Sequence, residues 1–181
     1  MSVPFNNFFL KVDKIAGESL DSDHKDWINI FSSSICLSNA VSSVVTGGHA
    51  GRGYISPLIF YTEFNKATVS ILASMFRKTT HAWAVIERCV SGSGDKSLPI
   101  ERFIFIDVVF DTSDVNISPD SSGISLAITA KKFGFAYFPQ NDQGVQQAAV
   151  AFSYDLTSGK EVTISTLGDL GAHKGSAPSA S

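Results

Sequence analysis

Charge is scarce in this sequence. Only 17% of its 181 residues are Asp, Glu, Lys or Arg, against about 25% in an average soluble domain, and so small a share points to surface covered by partners. The 14 basic and 17 acidic residues leave a net charge of −3, with no basic block. A phosphate-tracking face needs such a block, so no nucleic-acid partner is expected. Cysteine is almost absent as well. Cys36 and Cys89 are too few for a disulfide framework and too far apart for a zinc knuckle, and both are expected to behave as small buried hydrophobes. No apolar run approaches bilayer-spanning length, and "MSVPFNNFFLKVDK" carries neither a basic leader nor a sustained apolar segment. The expectation is a chain made in the cytoplasm, without membrane insertion, and one that would need no cleaved signal if it leaves the cell.

What is present is apolar. Hydrophobic residues make up 44% of the chain, and a single domain of this length buries roughly 70% of its unfolded surface. Most segments read as strands bounded by Gly, Pro, Asp and Ser clusters. In "IERFIFIDVVFD" the odd set Glu101, Phe103, Phe105, Asp107, Val109 and the even set Arg102, Ile104, Ile106, Val108, Phe110 are both largely apolar. Such a strand needs cover on two faces, from a helix, a second sheet or another subunit. "AAVAFSYDL" alternates Val150, Phe152 and Tyr154 with Ala151, Ser153 and Asp155, as a half-exposed strand does. One segment, "NKATVSILASMFRKT", has helical spacing, with Val69, Leu72, Met75 and Phe76 on one stripe and Asn65 or Thr68 able to cap it. Two stretches read as long connections. Ser38 to Pro57 is a β-arm or a loop, and Thr112 to Gly123 is broken by Pro119 and Gly123. After Ser158 the composition turns to Gly, Ser and Ala, which predicts a frayed tail.

Candidate chemistry is thin. Ser19, Asp21, Asp23, His24 and Asp26 crowd one stretch, but hydrolase triads are assembled from separated segments around a strained nucleophile. Gly17 followed by "ESLDSDH" reads as a turn whose Ser and Asp side chains bond nearby backbone. "GGHAGRG" lacks the Lys-Ser/Thr pair of a phosphate loop. His24, His49, His81 and His173 have no metal-ligand spacing. Glu101 and Asp107, separated by Phe103 and Phe105, do not suggest a glycosidase pair. The reading is a non-enzyme with no catalytic residue, metal or cofactor.

The opening stretch does resemble a family. "LKVDKIAGESLDSDHKDWINI", with Gly17, Glu18, Ser19 and His24 in a signature turn before Ile28 and Ile30, is similar to the N-terminal region of Hcp proteins, the tube subunits of type VI secretion systems. "FYTEFNKATVSILASMFRKTTH", "IERFIFIDVVFDTSDV" and the Tyr137, Pro139, Gln140 turn with Gly144 continue the likeness in order, over roughly Phe8 to Val162. "FSSSICLSN" stands where the family carries an aromatic-rich segment, and the tail after Glu161 is longer.

The resemblance implies a mainly β fold, a closed antiparallel β-barrel of two packed sheets with one short flanking α-helix. Residues 1–162 would form the tube domain and 163–181 a flexible tail. It further implies a homo-hexamer, rings stacked into a tube, a contractile sheath, a VgrG spike and small effectors as partners. A stacking arm is expected at Ser42, Gly47, Gly48, His49, Gly51, Arg52 and Gly53, and lumen contacts at Ser118, Asp120, Ser121 and Ser122. A β-sandwich binding module, with Trp27 or Trp83 on a concave face, or a phage-like tail-tube protein are the alternatives. Both Trp are expected in the core.

Overall fold

The computed structural model describes residues 7–41, 50–91, 97–168 and 177–178. Its elements run β1 (Phe8–Val12), β2 (Ile28–Asn29), β3 (Ser32–Ser34), β4 (Leu37–Val41), β5 (Ala50–Ile55), β6 (Leu58–Glu63), α1 (Lys66–Phe76), β7 (His81–Ser91), β8 (Ser97–Ile117), β9 (Ser122–Tyr137), β10 (Val150–Asp155) and β11 (Lys160–Glu161). The described residues are mainly β with one helix, as the sequence leads one to expect.

Nine strands join one sheet in the order β11-β10-β9-β8-β7-β1-β2, with β6 on the distal half of β9 and β3 on β6. Every pairing is antiparallel. The expected closure is not completed by a ladder. β2 and β3 are consecutive pieces of one stretch, and that stretch changes partner: the Ile30 N–H donates to Phe8 on one side, and the Phe31 N–H donates to Tyr61 on the other. The two sheet edges meet through this seam. β4 and β5 form a separate two-stranded arm, which realises the arm reading of Ser38 to Pro57.

The two apolar faces of β8 are covered by the chain itself. Phe103 and Phe105 face the larger core, Asp107 takes a left-handed φ of 54°, and beyond it Val108 and Phe110 face that same core. Odd residues thus give way to even ones. Ile104 packs into a second cluster with Phe9, Trp27, Cys89, Phe138 and Leu167. No partner subunit is needed to explain those apolar faces. Ile164 and Leu167, within the stretch assigned to the tail, are buried in this cluster.

α1 starts at a capping box, where the Asn65 side chain accepts from the Ala67 and Thr68 N–H groups and the Thr68 hydroxyl accepts from the Asn65 N–H. Its buried stripe is Ala67, Thr68 and Ile71, with Leu72 and Met75 beside it. Val69 and Phe76, expected on that stripe, are exposed. Thr112 to Gly123 is not a loose connection either. β8 and β9 stay paired to Ile117 and Ser122, and the pattern looked like a loop because this half of β8 is largely exposed and polar.

Candidate functional site

The signature turn is built around a glycine that cannot be replaced in place. The Gly17 N–H donates to the Asp26 carbonyl at 2.8 Å and the Ser19 N–H to the Trp27 carbonyl at 2.9 Å. A Cβ on Gly17 would lie 2.0 Å from the Trp27 oxygen. Within the turn, the Asp21 carboxylate accepts from the N–H groups of Asp23 and His24 at 3.0 and 2.9 Å, an Asx-type arrangement. Its other oxygen accepts from the Ser97 hydroxyl at 2.8 Å.

His24 is fully buried, stacked on Phe9 at 4.2 Å and met edge-on by Trp27 at 4.9 Å. Its Nδ1 lies 3.0 Å from Asp21 Oδ1 and its Nε2 2.8 Å from Glu87 Oε2. Glu87, also buried, accepts at its other oxygen from Arg102 Nε at 2.6 Å. Arg102 donates through Nη1 to the Thr166 carbonyl at 2.7 Å and lies over the Phe138 ring. A chain of charge therefore runs from the turn through β7 and β8 to Thr166. Burial opposes the charge on His24, but the hydrogen bonds to Glu87 and Asp21 outweigh it and hold the imidazole above its ordinary pKa. Burial likewise opposes the Glu87 charge, yet His24 and Arg102 hold this carboxyl below the usual range. Asp21 is lowered in the same way, against burial, by His24 and Ser97.

This arrangement has no catalytic form. Both ring nitrogens of His24 are engaged by carboxylates, and the Ser19 hydroxyl accepts from the Asp21 N–H at 3.3 Å. His24, Glu87 and Cys89 do bring donor atoms within 4.8 Å of one another. The set does not suit a metal ion. Burial pushes the Cys89 thiol up, a metal would require that thiol to ionise, and the His24 nitrogens and Glu87 oxygens are already engaged with Asp21, Arg102 and one another. Glu101, the other carboxylate considered, is paired with Arg88 through two hydrogen bonds of 2.9 and 2.6 Å.

The surface offers a different kind of site. On β10 the buried residue is Ser153, whose hydroxyl donates to the Val162 carbonyl at 2.5 Å, while Val150 and Phe152 are 69% and 46% exposed. The apolar parity of this strand faces outward at Val150 and Phe152, while Tyr154 packs against the larger core. Phe152, Tyr154, Phe133, Leu37 and Tyr54 line a cleft of about 410 Å³ between β10 and the arm. A second apolar patch lies on β6, where Ile59 and Tyr61 are exposed beside Phe31, whose ring is 6.1 Å from that of Tyr61.

Of the arm residues named from the sequence, Gly51, Arg52 and Gly53 lie on β5, paired with β4; Ser42, Gly47, Gly48 and His49 fall outside the described residues. Ser118, Asp120, Ser121 and Ser122 are gathered at the tip of the β8–β9 hairpin, where Ser118 and Ser121 bond one another through backbone and side chain. Glu18 is exposed, and Ser19 and His24 are buried. Cys36, expected inside, is exposed, whereas Cys89 is buried. Trp27 is in the core and Trp83 is half-buried against it. The sequence reading missed Glu87 and Arg102. They lie far from the turn in sequence, and the available signal was the adjacent charged pairs Glu87–Arg88 and Glu101–Arg102 within two largely apolar stretches.

The family described as "Type VI secretion system effector, Hcp" matches residues 9–137, a span that includes the turn, the helix and the β8–β9 hairpin. No curated relative matches the chain. Among solved structures, a type six secretion system protein superposes with a TM-score of 0.78 at 19% identity, covering 87% of this chain and 99% of the other. Hcp1 from Salmonella typhimurium gives 0.68 at 19% identity, with 85% and 97% covered. A type VI secretion system effector from Yersinia pestis gives 0.61 at 19%, with 82% and 98% covered. With the family match extending over well more than half of its length and the fold agreeing, the chain belongs to the Hcp family of type VI secretion tube proteins.

Proposed function

We propose that this chain assembles into hexameric rings that stack into a tube, which a contractile sheath drives outward beneath a VgrG spike to deliver small effectors. The observation that carries the reading is the outward apolar face of β10, with Val150 and Phe152 exposed and Ser153 inside. A cyclic ring needs heterologous contacts, one patch on a different patch of the next copy. The β10 face and the Phe31, Ile59 and Tyr61 patch are two such surfaces on separate strands. The action is mechanical and makes or breaks no bond of a substrate. The arm at Ser42 and Gly47 to Gly53 would carry stacking between rings, and the Ser118, Asp120, Ser121 and Ser122 tip would meet effectors in the channel. Residues 1–162 would form the tube domain, with Ile164 and Leu167 just beyond packed into its second cluster.

Light scattering coupled to size exclusion, with negative-stain images of the same peak, tests the reading. A six-subunit mass with open rings is expected for the native chain, and a monomer for Val150→Ser combined with Phe152→Ser. A native monomer across salt conditions would overturn it, and a double variant that still forms rings would remove β10 from the interface.

A further inference from the structure

Both oxygens that face the ring nitrogens of His24 belong to carboxylates, Asp21 at 3.0 Å and Glu87 at 2.8 Å. An ionised carboxylate only accepts, so each nitrogen must donate, and a ring donating twice is an imidazolium. The count of charge agrees. Arg102 and a doubly protonated His24 balance Asp21 and Glu87, so four ionised groups lie inside the protein with no net charge.

We propose that this chain of four is a proton-operated clasp on the Gly17–Trp27 turn, closed on β7 while His24 carries both ring protons and released at Asp21 when one of them is lost. A neutral imidazole has one N–H for two carboxylates. Glu87 keeps Arg102 as a partner whichever nitrogen holds the proton. With the remaining proton on Nε2, facing the fully buried Glu87, the bare Nδ1 lone pair repels the Asp21 carboxylate, which is nearer the surface than Glu87 and can turn to water. Asp21 is also what fastens the turn, through the N–H groups of Asp23 and His24 and through the Ser97 hydroxyl.

The other ionisable groups around the ring do not take over the role. Asp23 accepts from the Ser97 N–H at 3.3 Å. The Cys89 sulfur, 3.7 Å from Nε2, belongs to a thiol that burial keeps protonated. On β1, Phe9 is uncharged, and Lys11 donates its ammonium to the Asp26 carbonyl at 3.0 Å. Trp27 contributes an uncharged ring.

The test uses the full chain in whatever assembly it forms. Nitrogen-15 ring shifts of His24, by solid-state NMR where needed, are followed from pH 6 to 10 alongside hydrogen exchange of the Asp23 and His24 amides, corrected for intrinsic base catalysis. The expected result is two protonated ring nitrogens at pH 7 and an exchange rise of at least about tenfold, equivalent to about 1.4 kcal/mol of opening, with the same midpoint as the ring titration. Asp21→Asn, which retains the shape and removes one charge, should move that midpoint down in pH. A singly protonated ring at pH 7, or exchange that does not follow the ring, would overturn the proposal. Unchanged ring titration in Asp21→Asn would overturn it as well. None of these readings depends on ring or tube formation.

Discussion

Two ion pairs lie side by side on β7 and β8. Glu87 opposes Arg102, and on the next rung Arg88 opposes Glu101. The side chains approach equally, at 2.6 Å in each pair, and the two pairs carry the same charges with the strands exchanged. Glu87 and Arg102 are buried, while Arg88 and Glu101 are 41% and 32% exposed at the mouth of a cleft of about 770 Å³. Water and salt screen the outer pair, and losing it returns two charges to solvent. The inner pair is held in place by His24 and the Thr166 carbonyl, and losing half of it leaves a charge with nowhere to go. Equal geometry with unequal surroundings gives unequal energetics.

The largest effect is expected from Glu87→Gln, which leaves His24 and Arg102 buried without their shared counter-charge. It should cost about 3–5 kcal/mol, read as a lower urea midpoint at unchanged slope. Gly17→Ala should follow at about 3 kcal/mol, because the new methyl collides with the Trp27 carbonyl that holds the turn. The dependence on pH sharpens the contrast. Asp21 and Glu87 contribute stability above their ordinary values of 3.8 and 4.5 and lose it as pH falls through their lower folded values. His24 contributes fully below its ordinary value of 6.5 and loses the contribution as pH rises through its raised folded value. Thermal midpoints should therefore be highest between these limits, falling toward both acid and alkali, and the alkaline fall should be missing in His24→Gln if that variant folds. Ser153→Ala, which removes the hydroxyl from the Val162 carbonyl, should cost about 1 kcal/mol. The smallest effect belongs to Glu101→Gln, below about 1 kcal/mol and shrinking with added salt. Equal losses for Glu87→Gln and Glu101→Gln would remove the basis of the comparison.

Much of this was legible in the sequence. Strand alternation, the capped helix start at Asn65 and the turn after Ile15 are local patterns, and local patterns survive into structure. The facing of β10 was not legible. Period two says that two parities exist and not which one is inside, and only the pairing of Ser153 with Gly134 and its hydrogen bonds with Val162 decide it. Nor was the far half of β8, where Thr112 to Ile117 pairs fully with β9 while its residues are mostly polar. The charge chain was hidden for a further reason. His24 and Glu87 are far apart in the chain, and an imidazole beside a polar turn gives no sign that its partner is a buried carboxylate.

The change of partner at Ile30 and Phe31 sets how the molecule answers to force. Thrust along β8 and β9 loads long ladders in shear, so many hydrogen bonds must fail together. A pull around the girth instead reaches the short pairings of β2 and β3, which can peel one rung at a time. Among the described residues, the ladders are therefore expected to resist load lengthwise better than around the girth, with the β2–β3 seam a line along which the subunit would split.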